Sequence, residues 1–151
     1  MKSRSLPLSI AARYLAPVLV LLSLVVLYRG HHLPGGGFIG GLLAASSIGL
    51  LLLAAGPDTA RNTLGINPVS LIVAGLLVAA CSGLFGMAGG GPFMDGAWLP
   101  EVAVPVLGAV HLGTPLLFDL GVYLAVIGFV LTCLFALVEA DREPSKNGGA
   151  K

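Results

Sequence analysis

Four apolar runs, near 10–28, 37–55, 69–87 and 114–138, fill more than half of this 151-residue chain and leave no room for a soluble core. The hydrocarbon layer of a bilayer is ~30 Å thick and takes about 20 helical residues to cross. Inside it every backbone N–H and C=O must find a partner within the chain, so runs of this length can only be helices. The second and third runs are barely long enough, and their glycine-rich flanks are available to extend them. Composition agrees: hydrophobic residues make up 56% and charged residues 10%, against about 25% charged in a soluble domain. The expected fold class is an all-α integral membrane protein. It has four transmembrane helices, a glycine-rich hairpin between the first two and a long outer loop before the fourth. Residues 1–143 form one membrane domain, and the polar end 144–151 is expected to be a disordered cytoplasmic tail.

Lys2 and Arg4 ahead of an apolar run imitate a secretory signal, but the run continues to Leu27 without a small-x-small cleavage site. A retained first helix is expected. With four spans, the N-terminus, the loop between spans two and three, and the tail lie on one side. That side holds Lys2, Arg4, Arg13, Arg61, Arg142, Lys146 and Lys151, and Arg29 stands alone on the other. Seven against one puts both termini in the cytoplasm and the glycine-rich turn outside. Arg13 can snorkel back to the cytoplasmic interface. Cys81 and Cys133 both fall inside spans, make no disulfide or metal spacing, and read as packed small apolar residues. A net charge of +1 gives no sign of a nucleic-acid partner.

The turn itself is unusual. Gly30-His31-His32-Leu33-Pro34-Gly35-Gly36-Gly37-Phe38-Ile39-Gly40-Gly41 packs six glycines, a proline and two histidines into twelve residues. Pro34 stops the first helix, and the glycines that follow permit positive φ and a tight reversal. Bare amides at the start of span two sit at the positive end of a helix dipole, where a carboxylate or anion is favoured. Phe38 would anchor that start at the interface. A tight hairpin without chemistry explains the same residues equally well. Gly35-x-Gly37-x-x-Gly40 also fits the dinucleotide fingerprint, but that motif needs a preceding strand and a βαβ unit, and here a membrane helix precedes it.

Small residues recur every four positions in three spans: Gly37, Gly41, Ala45 and Gly49; Gly75, Ala79 and Gly83; Gly128, Thr132 and Ala136. Such ridges let helix backbones approach closely, within the chain or against other subunits. One ionisable residue lies clearly within a span: Asp119, about five residues past Thr114 and so roughly 7.5 Å along the helix. A carboxylate there is costly and marks a candidate ion-pathway or interface residue. His31, His32 and His111 share its expected side and are candidate partners for it. Asp119 could equally cap a neighbouring glycine-rich helix start, that of span two above all. Three scattered histidines give no metal-ligand spacing, no cofactor motif is present, and no nucleophile–base pair marks a catalytic site. In the long third loop Gly86-Met-Ala-Gly-Gly-Gly-Pro ends the third helix, and Phe93 and Trp98 suit the interface. The stretch 102–110 is apolar, too short to cross, and is expected to be interfacial or partly re-entrant.

The turn motif, together with the later Gly113-Thr114 and Phe118-Asp119-Leu120-Gly121-Val122, resembles the MnhB/MrpB family, one of the small membrane subunits of the Mrp-type multisubunit sodium/proton antiporters. The likeness runs from about Arg13 to Val138. The doubled His31-His32 departs from the family's single histidine, and His31 is the better match because it directly follows Gly30. The resemblance implies a four-helix subunit, not an enzyme, in the inner membrane of a bacterium. It implies a complex that exchanges sodium for protons, with complex-I-like pumping subunits as partners and no cofactor. Pro34 and Phe38 would then be the positions that matter most to transport, with Asp119 next. Gly35, Gly36, Gly37, Gly40, Gly41, Phe118 and Gly121 complete the motif as structural positions. Other readings stay open: a membrane-arm subunit of an energy-converting hydrogenase, a purely architectural subunit, or a small homo-oligomeric channel.

Overall fold

The computed structural model describes residues 6–30, 36–88, 102–104, 108–110 and 113–141. In chain order the elements are α1 (Leu6–Arg29), α2 (Gly36–Ala55), α3 (Pro57–Leu64), α4 (Pro68–Ala88), β1 (Val102–Val104), β2 (Gly108–Val110) and α5 (Thr114–Ala140). Four helices are long and apolar enough to cross a membrane. The two shortest expected spans reach 20 and 21 residues as α2 and α4, or ~30 Å each, by taking up glycine and alanine at their ends.

The helical membrane class holds, and two details go beyond the sequence expectation. The stretch expected to be interfacial or re-entrant holds a short antiparallel pair, with Val102 opposite Val110, Ala103 opposite Ala109 and Val104 opposite Gly108. The β-branched Val102, Val104 and Val110 suit the extended backbone of such a pair. Second, the connector between the second and third spans contains a helix of its own. Pro57 supplies a preset φ at the first position of α3, Asp58 sits in its first turn, and Gly65 closes it at φ 67 with its N–H on the Arg61 carbonyl at 2.9 Å.

The long helices stand side by side in the order α1, α2, α5, α4, with α3 tucked against α2 and only a short direct meeting of α1 and α5. Lipid tails are as apolar as leucine, so close packing rather than water exclusion must hold such a layer together. The small residues provide it. A side-chain carbon at Gly75 would stand 2.5 Å from the backbone of both Gly121 and Ala125, and one at Gly121 would stand 2.6 Å from Ala79 N. Further along, one at Gly128 would meet the Pro68 carbonyl at 2.5 Å. These two helices therefore touch backbone to backbone along the α4–α5 seam. Gly37, Gly41, Ala45 and Gly49 of α2 are all buried, three of them facing α5. The described ridges are thus used inside the chain. Around them Leu52, Ile127, Leu131 and Phe135 form the apolar centre.

Cys81 and Cys133 are exposed rather than packed. Each helix buries the face that carries its glycines, and both cysteines fall on the opposite side. At the far end of α5, Glu139 accepts from the Arg61 guanidinium, which also lies 5.0 Å from the Phe135 ring. Both partners of this ion pair are more than half exposed, and such pairs contribute little, about 0–1 kcal/mol.

Replacing Gly121 with alanine is expected to lower stability by about 1–3 kcal/mol, because the methyl meets backbone that cannot yield. Gly49→Ala should cost far less, since the nearest atom is the mobile end of Leu134 at 3.1 Å. Thermal unfolding of the two variants in mild detergent checks the difference.

Candidate functional site at the start of the second helix

The end of α1 and the start of α2 lie side by side. Gly30, the last described residue of the first arm, lies so close to Gly36 that a side chain on it would overlap the Gly36 backbone. Gly36 opens α2 at φ 43, a left-handed conformation that favours glycine. What faces it comes from α5. A side-chain carbon on Gly36 would lie 2.8 Å from Asp119 Oδ2 and 3.0 Å from Oδ1. On Gly37 it would run into the Asp119 carbonyl and stand 3.0 Å from Tyr123 N.

The next pair of glycines repeats the arrangement one turn deeper. Gly41 faces the Tyr123 carbonyl and Val126 Cβ, both at 2.9 Å. Gly40 faces the other way, towards the Ser23 carbonyl at 3.0 Å on α1 and the Tyr123 ring at 3.3 Å. The motif is therefore a three-way junction. Gly36, Gly37 and Gly41 admit α5, and Gly40 admits α1. Across it the Tyr123 and Ser23 hydroxyls form a buried hydrogen bond of 3.1 Å.

Asp119 is half-buried, with its carboxylate at the positive end of α2, the end whose first amides have no partner within the helix. A carboxylate so placed is partly compensated by the dipole. Phe118 is half-buried beside it, and Gly121 is buried against α4. Phe38 is 57% exposed and points away from the chain. His31, His32, Pro34, Gly35 and His111 lie outside the described residues. Among those described, no three His, Cys, Asp or Glu side chains come together as a metal site. The described cavities lie at the opposite end, around Arg61, Asn67 and Pro68.

Sequence reasoning singles out Asp119 and the glycines but passes over Tyr123 and Ser23. A signal for each is available. Tyr123 stands four residues after Asp119, on the same helix face, and Ser23 is the one hydroxyl in an otherwise apolar stretch from 15 to 27.

A helical membrane protein with a carboxylate lodged against a glycine-lined helix start is the class this architecture defines. Residues 7–132 match the family of domains related to the MnhB subunit of Na+/H+ antiporters. The chain belongs to that family. It is 38% identical over 140 residues to the B-type subunit of the Na+/H+ antiporter of Bacillus subtilis, covering 93% of this chain and 97% of that protein. It is 34% identical over 141 residues to the corresponding Na+/H+ antiporter subunit of Alkalihalophilus pseudofirmus, again covering 93% and 97%. Among solved structures, the Mrp complex of Dietzia sp. contains a chain that matches with a TM-score of 0.68 and 40% identity. The match covers 82% of this chain and 13% of that much longer one. The chain is thus a membrane component of the antiporter-subunit type rather than a classical enzyme.

Gly37→Ala is expected to push α5 off α2 and to cut recovery of folded protein severalfold, because there is no space for its methyl group. Phe38→Ala should change the chain's own stability by no more than about 0.5 kcal/mol, as for other substitutions on exposed surfaces. Yield and melting temperature of both purified variants check this.

Proposed function

We propose that this chain acts as the MnhB-type subunit of a multisubunit Na+/H+ antiporter in a bacterial cell membrane, joined to complex-I-like pumping subunits and needed for the transport of the whole. The observation that carries this reading is the match along nearly the full chain to Na+/H+ antiporter subunits of the same type, shared with part of a solved Mrp complex. The exchange is secondary active: proton entry drives sodium out of the cytoplasm. Both termini lie in the cytoplasm in this reading, supported by the seven-to-one distribution of Lys and Arg. The junction of Asp119 with Gly36 and Gly37 then sits towards the outer face. There Asp119 serves as the ion-handling carboxylate of the subunit, with His31, His32 and His111 as candidate partners on the same side. Pro34 and Phe38 are the motif positions expected to matter most to transport.

The decisive experiment is a mild-detergent pull-down of the tagged chain from its native membrane, read by mass spectrometry. Recovery with antiporter subunits is expected. Recovery with hydrogenase subunits, or with copies of itself alone, would overturn the assignment. Within the recovered complex, Asp119→Asn keeps the side-chain shape and is expected to lower sodium-dependent proton exchange in membrane vesicles at least tenfold while assembly persists. Reporter fusions at both ends should report the cytoplasmic side.

A further inference from the structure

We infer that Tyr123, through its hydrogen bond to Ser23, is a positioning residue for Asp119; this rests on the functional reading of Asp119 given above. Three observations meet here. The Ser23 side chain is fully buried and Tyr123 nearly so, and their hydroxyls lie 3.1 Å apart between helices that otherwise meet only briefly. Tyr123 is four residues past Asp119, so the two project from one face of α5 and turn together. The same two residues contact the same helix start: Gly37 admits the backbone of both, and Gly36 admits the Asp119 carboxylate.

The direction of the hydrogen bonds decides between a relay and an anchor. Ser23 Oγ is placed to donate to the Val20 carbonyl at 2.7 Å, and with that bond made the Tyr123 hydroxyl is the donor between the two. The chain runs Tyr123 to Ser23 to a backbone carbonyl, and a peptide carbonyl passes no proton on. The network therefore holds position rather than conducts. What it holds is the rotation of α5. α2 presents glycine to α5, and glycine offers no side chain to lock a rotation. The hydroxyl pair supplies that lock from α1. Without it, the first turns of α5 lose their tie to α1, and the Asp119 carboxylate is held less closely against Gly36.

The test uses the assembled complex in everted membrane vesicles. It compares Tyr123→Phe and Ser23→Ala, which break the same bond from opposite helices, with their double variant and with Asp119→Asn. The readouts are the amount of assembled complex, the apparent KM for sodium of sodium-driven proton exchange, and the rate at which a hydrophobic carbodiimide modifies Asp119. The expected result is assembly within about twofold of wild type, with apparent KM and modification rate each shifted about threefold, the measure of one interhelical hydrogen bond in a membrane. The double variant should be no worse than either single one. Unchanged KM and modification rate in Tyr123→Phe and Ser23→Ala, with exchange still lost in Asp119→Asn, would overturn the positioning role alone. Loss of activity in step with loss of assembled complex would reduce the bond to a structural one and overturn it too. Wild-type exchange in Asp119→Asn would remove the reading of Asp119 and this inference together.

Discussion

The contact of Gly37 with the backbone of Asp119 is where the structure is most constrained. In water, two helices are pressed together by burial of apolar surface. In lipid that force is missing, and association relies on dispersion between closely opposed backbones and on hydrogen bonds across the seam. A single methyl group at the crossing would separate α2 from α5. Because α2 lies between α1 and α5, a separation there would also undo the junction that brings Ser23 to Tyr123. The same device recurs at Gly75 with Gly121, so that α4 depends on α5 as α5 depends on α2.

Hydroxyl groups secure what the glycines bring near. Ser47 donates to the Ala16 carbonyl at 2.9 Å and joins α2 to α1. Ser82 donates to the Thr114 carbonyl at 3.3 Å and joins α4 to the start of α5. Each is a small side chain that fits a close crossing and leaves no orphaned polar group in the apolar interior. Pro17 inside α1 removes one backbone donor, and the Ser47 bond falls on the adjacent residue. These interhelical bonds are therefore local to the helix seams and add direction to contacts that are otherwise smooth.

The sequence made the helices plain because hydrophobic length is a direct consequence of bilayer thickness, and all four appear within a few residues of where composition puts them. Asp119 was legible for a related reason: a carboxylate in an apolar span is too costly to be incidental. The structure puts its carboxylate beside the start of α2, one of the readings open in the sequence, and the histidines of the other reading lie outside the described residues. Other elements were hidden. The strand pair at 102–104 and 108–110 is too short for a periodic signal, and its apolar residues suit an interfacial helix equally well. The helix α3 is only eight residues long, and its signals, a proline at the start and a glycine at the end, also mark an ordinary loop. The cysteines were misread because burial preference describes water-soluble cores. In lipid the outward face is apolar as well, so an exposed thiol carries no penalty and the preference loses its force.

The layered arrangement bears on how such a component works in a larger assembly. Helices set in the row α1, α2, α5, α4 leave two broad apolar faces, with Phe38 standing out at one end and Phe129 in the middle of the last helix. At the α2–α5 and α4–α5 seams the helices meet backbone to backbone and leave no gap for a hydrated path. The Asp119 carboxylate lies between the two inner helices of the row, about 7.5 Å from the start of α5 and beside the first residues of α2. The dipole of α2 favours a negative charge at that point.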